Sequence, residues 1–278
     1  MKACGVVLAG ILACAASEAG EVEETLKQKV SYTEVEAIEG GTISGKVFWS
    51  GDVPEVTKFP INKNVEVCAK HAKKEMADSP RLIIDKESKG VENAVVFLAD
   101  IREGKSLETI ETPVFDQKNC TYDPHILLIR AGARLQMKSS DDILHNIHAV
   151  GPSKFNKPFP LRNTIIKQKM RKPGVSVLSC DAGHSWMSAY IFVVQHPYFA
   201  LTDEKGDFVL KDVPAGTYKL MVWHEGWTVA KTDSDSEGKI TRYTFDAPKE
   251  TQKSVTVSSA GEVEMRFALS AEGLEEQE

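Results

Sequence analysis

Apolar and polar residues alternate along much of this chain with the two-residue period of half-buried strands. Thr42 to Phe48 (TISGKVF) alternates, and Val91 to Leu98 (VENAVVFL) is rich in β-branched and apolar residues. Ile126 to Ile129, Arg134 to Lys138, Val175 to Ser179 and Ala189 to Val194 predict further short strands. Turn signals stand between them: Asp52-Val53-Pro54, Ala131-Gly132, Lys172-Pro173-Gly174 and Pro214-Ala215-Gly216. Many short strands punctuated in this way predict an all-β fold built of sandwiches. Lys70 to Ala77 (KHAKKEMA) predicts one short helix, and residues 20–37 read as a polar leader or a short helix ahead of the fold. Residues 271–278 (AEGLEEQE) are acidic and predict a disordered tail. There is no internal repeat. A chain of 278 residues is too long for one small sandwich and fits two domains.

The N-terminus changes this picture first. Lys2 is followed by the apolar run Gly5 to Ala16 and then Ser17-Glu18-Ala19. The run is too short to cross a bilayer, and small residues follow it where a signal peptidase reads, so residues 1–19 predict a signal peptide. The protein is therefore expected to be exported, to a periplasmic or extracellular setting. Ile11-Leu12-Ala13-Cys14 is also a loose lipobox, and acylation of Cys14 would make the protein a membrane-anchored lipoprotein instead. No other segment is apolar enough to be transmembrane. The formal net charge is −6, with 42% hydrophobic residues, which argues against a nucleic-acid partner and suits docking on a basic surface.

Five cysteines are present, and Cys4 and Cys14 fall within the expected signal. Three remain, an odd number for an oxidising compartment. One disulfide, Cys68–Cys120, with Cys180 left as a thiolate ligand is the parsimonious account; three unrelated buried thiols are the alternative. Cys180-Asp181-Ala182-Gly183-His184-Ser185-Trp186-Met187 places a thiolate, an imidazole and a thioether in one short loop. Two imidazoles and a thiolate with a weak axial thioether form a blue-copper ligand set, and the softness of these donors matches copper. The second imidazole must come from elsewhere, and His145, at the end of Asp141 to His145 and the start of a strand, supplies it. Zinc prefers carboxylate to thioether, and a metal-free sandwich with a buried Cys and Met is the plainer alternative.

On these residues the segment 113–195 resembles a cupredoxin of the plastocyanin type. Tyr122-Asp123-Pro124 followed by Ile126 to Gly132 is similar to the family's opening strand and turn. Ser139 to Asn146 is similar to its loop ending in His-Asn, Pro173-Gly174 to the hairpin before the Cys, and Ala189 to Val194 to its closing strand. The resemblance implies a Greek-key sandwich with His145, Cys180, His184 and Met187 as the ligands of one copper ion, cycling between Cu(I) and Cu(II). It further implies that Asn146 tethers the two ligand-bearing loops and that Trp186 covers the site or docks a partner. The loop also resembles the dinuclear copper centre of cytochrome oxidase, but Ser176 stands where the second bridging Cys would fall, so a mononuclear site is expected.

The flanking segments carry a second resemblance. Tyr198 to Val222, with its Thr-Asp-x-x-Gly-x-Phe and Pro-Ala-Gly-Thr-Tyr turns, is similar to the second half of a carboxypeptidase-regulatory, transthyretin-like sandwich. Ile43 to Val47 and Ala94 to Leu98 are similar to its first half. The expected organisation is therefore 38–112 and 196–270 as two parts of one sandwich with the cupredoxin-like 113–195 inserted between them; simple tandem order is the competing arrangement. The Cys68–Cys120 bridge would then pin the insert to its host.

The other histidines are discounted as ligands. His148 would face away from His145 on a strand. His125 starts a strand beside Pro124, and His196 and His224 lie in aromatic-rich loops; an auxiliary metal site among these four is the open alternative. The Asp233-x-Asp235-x-Glu237-Gly238 run lacks the acidic twelfth position of a calcium loop. The function that follows is one-electron transfer to a redox protein partner, with His184 as the exit if it lies at the surface, and no enzymatic turnover. The alternatives are a copper chaperone, buffer or sensor, and a structural or partner-binding sandwich.

Overall fold

The computed structural model describes residues 20–35, 39–72, 75–106 and 112–277. The expected signal peptide and Cys14 lie outside them. The fold is all-β, and its strands form two sandwiches with a third apolar layer between them.

The central sandwich uses residues 114–194. One sheet runs Ile165–Lys169, Arg134–Ser139, Val114–Lys118 and Thr121–Asp123 in spatial order. The other runs Phe155–Phe159, His145–Val150, Gly174–Ser179, Ser188–Val194 and Ile126–Arg130. Between them lie Phe115, Leu135, Met137, Ile147, Leu178 and Ile191. The flanking sandwich draws on both ends of the chain. Its first sheet is Phe199–Leu201, Val95–Leu98, Gly216–His224 and Lys249–Val257. Its second is Asp207–Val213, Gly41–Trp49, Glu262–Leu269 and Leu274–Gln277. Ile43, Val47, Val96, Val222 and Phe267 fill its core.

Two strands are buried on both faces, and their sequences show why. Val95–Leu98 turns Val96 and Leu98 into the flanking core, and Val95 and Phe97 toward the central sandwich. Ser188–Val194 sends Ala189, Ile191 and Val193 inward and Tyr190, Phe192 and Val194 outward. A strand covered on both faces reads as a continuous apolar run instead of an alternation. The outward residues meet Met221 and Trp223, so the two sandwiches share an apolar seam.

Several expectations are corrected. The helix spans Val65–Ala72, earlier than Lys70–Ala77, while Met76–Ala77 pairs as a strand with Phe59–Pro60. The expected strand at Val91–Leu98 shortens to Val95–Leu98, because Asn93 takes a left-handed φ of 67° and turns the chain. Of the two readings of residues 20–37, the short helix is the one that forms, over Glu21–Lys27, and its Val22 and Leu26 lie one turn apart and enter the seam. The tail expected to be disordered instead forms Leu274–Gln277, paired with Glu262–Leu269 and anchored by buried Leu274. Among the described residues no helix is long and apolar enough to cross a membrane.

Candidate metal centre

The site sits where two strands of the five-stranded sheet end. His145 begins His145–Val150, and Cys180 follows Gly174–Ser179 on the antiparallel neighbour. From Cys180 the chain turns through Gly183, at a left-handed φ of 94°, and closes with Met187 N–H donating to the His184 carbonyl at 3.0 Å. A side chain rarely adopts that backbone, so glycine is what the loop needs there. The two imidazole centroids are 4.5 Å apart. Cys180 Sγ stands 3.5 Å from His184 Nδ1. Ligand atoms of His145, Cys180 and His184 all lie within 4.8 Å of one another, and all three residues are buried. Met187 is buried too and shares with Cys180 the wall of a cavity of about 240 Å³.

The hydrogen bonds fix the segments that carry these groups. Asn146 Oδ1 accepts the N–H of Asp181, the residue after Cys180, and its Nδ2 donates to Asn156 Oδ1 at 2.6 Å. The two ligand-bearing segments are thereby tied. Tyr122 donates its hydroxyl to the Asn146 carbonyl at 2.6 Å. Trp186 is buried, meets the His184 ring edge-on at 5.3 Å and donates Nε1–H to the Cys120 carbonyl at 2.9 Å. Cys68 and Cys120 are joined as a disulfide and Cys180 is free. A second grouping, Cys120, Asp141 and His145, is also close-set, but its sulfur is spent in that disulfide.

Electrostatics separates the two imidazoles. Burial pulls the His145 pKa down, but Asp141 and the Cys180 sulfur outweigh it and the net shift is upward. Burial likewise opposes ionisation of Asp141, and His145 with the amides of Cys120 and Asn119 reverses that, holding its carboxyl below the ordinary range. His184 goes the other way: burial first, then the positive charge of His145, push it down to about 3. A neutral imidazole beside a thiolate is the form a metal ion requires.

The donor set fits a soft metal ion. His145 Nδ1 is buried and has no hydrogen-bond partner among the described residues, an uncompensated polar atom that a coordinate bond would satisfy. Thiolate, two imidazoles and a nearby thioether are the donors that copper prefers. Ser176 stands apart from them, in mid-strand opposite Ile191, with its hydroxyl accepting the Ser153 N–H at 3.2 Å.

Comparisons with known proteins follow this geometry. Residues 168–264 match a family model described as polysaccharide lyase family 4, domain II, over less than half of the chain. No curated protein matches. Among solved structures, a Cu-containing nitrite reductase from Thermus scotoductus is 21% identical with a TM-score of 0.30, over 34% of this chain and 24% of its own. A purple cupredoxin from Nitrosopumilus maritimus is 19% identical with a TM-score of 0.26, over 29% of this chain and 98% of its own. A mutant amicyanin in its Cu(I) form is 18% identical with a TM-score of 0.28, over 31% of this chain and 86% of its own.

The four histidines weighed as auxiliary ligands are engaged elsewhere. His148 lies 2.7 Å from Asp181, on the opposite face of the strand from His145. His125 pairs through Nε2 with Glu225 and through Nδ1 with the Ser188 carbonyl at 3.0 Å. Glu225 also binds Arg81, which reaches Tyr190 Oη at 3.0 Å, so this buried cluster clamps the two sandwiches together. His196 meets the Phe199 ring at a tilt of 32°, and His224 Nδ1 bonds the Glu225 carbonyl at 2.8 Å. The Asp235 turn is a hairpin tip, its carboxylate accepting Glu237 and Lys239 N–H at 3.0 and 2.9 Å.

One expectation is reversed. His184 does not reach the surface: it is 0% exposed, and its Nε2 bonds Asn64 Oδ1 at 3.1 Å. Asn64 and Asp141 are the site residues that the sequence reading passed over. Asp141 carried a signal, a carboxylate four residues before a ligand at a turn. Asn64, 120 residues from its partner, carried none.

Proposed function

We propose that this chain is a mononuclear copper protein of the cupredoxin kind and that it transfers single electrons. The observation that carries the proposal is the convergence of His145, Cys180 and His184 ligand atoms within 4.8 Å in a buried pocket, beside an unpartnered imidazole nitrogen. Met187, buried beside Cys180, would supply a thioether. Copper held there supplies a one-electron couple between Cu(I) and Cu(II). The protein's part is to keep the donors fixed in both states, through the Asn146 tie, the packed Trp186 and the sheet ends that bear the ligands, so that little rearranges when an electron moves.

Burial of both imidazoles opposes rapid hand-over of the metal, which weighs against a chaperone. In this reading the partner is another redox protein, no substrate is turned over, and the electron enters by a route other than a bare His184 edge. An exported setting belongs to the same reading, supported by the Cys68–Cys120 disulfide, since such bonds persist in oxidising compartments. The flanking sandwich, which we read as transthyretin-like, holds and covers the metal-bearing unit.

The test is to add Cu(II) to the full-length protein and record its visible and electron-paramagnetic-resonance spectra, with Cys180→Ser alongside. One equivalent of copper should give an intense thiolate-to-copper band that the variant loses. A protein that stays colourless and retains no stoichiometric copper refutes the proposal.

A further inference from the structure

Both imidazoles of the candidate centre are held from behind. His145 Nε2 lies 3.0 Å from Asp141 Oδ2, and His184 Nε2 lies 3.1 Å from Asn64 Oδ1. A neutral imidazole has one N–H, and an oxygen acceptor at Nε2 draws it there. Each ring then presents an unprotonated Nδ1. The inner atoms are the right ones: His184 Nδ1 is the atom 3.5 Å from Cys180 Sγ, and His145 Nδ1 is the atom left without a partner.

The two acceptors come from different parts of the chain, yet they are connected. Asn64 has a left-handed φ of 49°, a backbone that Asn tolerates better than most residues. Its carbonyl accepts Val67 and Cys68 N–H at 3.0 and 2.9 Å, which starts the helix that carries Cys68. Asp141 is buried, and its two oxygens accept Asn119 and Cys120 N–H at 2.9 and 2.8 Å. Cys68 and Cys120 are bonded to each other. One helical turn, one disulfide and one hydrogen bond therefore run from the acceptor behind His184 to the acceptor behind His145.

We propose that Asn64 and Asp141 are positioning residues that fix the tautomer and tilt of the two metal-binding imidazoles, and that the Cys68–Cys120 disulfide locks them into one frame. This rests on the metal-centre reading above. The disulfide acts on the metal although neither of its sulfurs is a ligand. Asn64 belongs to no strand of the central sandwich, so the frame is supplied by the segment leading into it.

The test begins with the metal-free, full-length protein at alkaline pH, where imidazoles are neutral. Long-range proton–nitrogen spectra should show the Nε2–H tautomer for both His145 and His184. Asn64→Ala should convert His184 to a mixture, and Asp141→Ala should do the same to His145. Asp141→Asn, which keeps an acceptor oxygen, should restore the tautomer. With copper loaded, each alanine variant should release metal to a chelator about 10- to 100-fold faster than the parent. Cys68→Ser combined with Cys120→Ser should loosen both rings at once; if that pair fails to fold, the single variants carry the test. Nδ1–H tautomers in the parent, or alanine variants with unchanged tautomers and release rates, overturn the proposal. A parent that takes up no copper refutes the metal reading alone, because the metal-free spectra still decide the positioning.

Discussion

His196 is 3% exposed, with Tyr32, Tyr198 and Phe199 around its ring. Burial pushes its pKa down to about 4, against a smaller upward pull from the Leu98 backbone and with nearby Arg102 adding to the fall. In the unfolded chain the same group titrates near 6.5, so between these values the unfolded state binds more protons than the native one. Its contribution is therefore complete above about pH 6.5, falls as the pH drops, and levels off below about pH 4. The loss is on the order of 3 kcal/mol across that window. Denaturant midpoints of parent and His196→Asn, compared at several pH values, should converge as the pH is lowered; a constant gap would show that His196 does not titrate in this way.

At the same scale, legibility follows distance along the chain. Cys180, His184 and Met187 stand in one loop, and local spacing is enough to mark them as a set. His145 was found through the loop and strand around it. Asn64 is an ordinary polar residue whose importance exists only once the helix it starts is pinned against Cys120, and no local pattern records that pinning. Burial of His184 has the same origin, since Asn64, which bonds its outer nitrogen, comes from outside the unit that bears it.

Among elements, the short helix Glu21–Lys27 matters to the packing. Three acidic residues in its first turn left leader and helix both open as readings, and the helix is what forms. Its one apolar stripe, Val22 and Leu26, is what seats it in the seam, and Val22 N–H donates to Glu250 at 3.0 Å. A stripe of two residues is too short to stand out from a polar background. Leu26→Ala should cost about 2–4 kcal/mol in global stability, read from the denaturant midpoint. A cost near zero would mean that the helix frays from the body. The longer strands were readable because their period or continuous apolarity extends over several residues. Ile165–Lys169, by contrast, is exposed at alternate positions on a sheet edge and carries too few apolar residues to be recognised.

The whole molecule is organised by the seam between the sandwiches. Trp223 meets Tyr190 and Phe192 edge-on, at centroid distances of 5.2 and 5.0 Å. The hairpin of Val229–Ser234 and Ile240–Phe245 then reaches the side that carries Cys180 and Met187. Its Tyr243 and Phe245 pack on Phe59, and Arg242 binds Asp181 at 2.9 Å. With this much apolar contact the two sandwiches should unfold as one unit, followed by tryptophan fluorescence and by copper absorbance alike. Trp223→Ala should remove about 3–5 kcal/mol and part the two curves, because it empties the seam and leaves each core intact. Coincident curves in the variant would place the coupling elsewhere, in the buried Arg81–Glu225–His125 cluster.

The pairing of Gly41–Trp49 with Glu262–Leu269 has a consequence for biogenesis. An early segment must wait for almost the last one before its sheet can close, whereas every strand of the ligand-bearing sandwich is complete once residue 194 has been made. Units whose contacts are all in hand fold first. As the chain emerges, His145, Cys180 and His184 would therefore be gathered before the 229–245 hairpin, which shares a cavity wall with Cys180 and Met187, is in place. On the copper proposal, an ion arriving in that interval would meet a site still open on the side where the hairpin later packs. Loading would then be a question of the order in which the segments become available as much as of affinity.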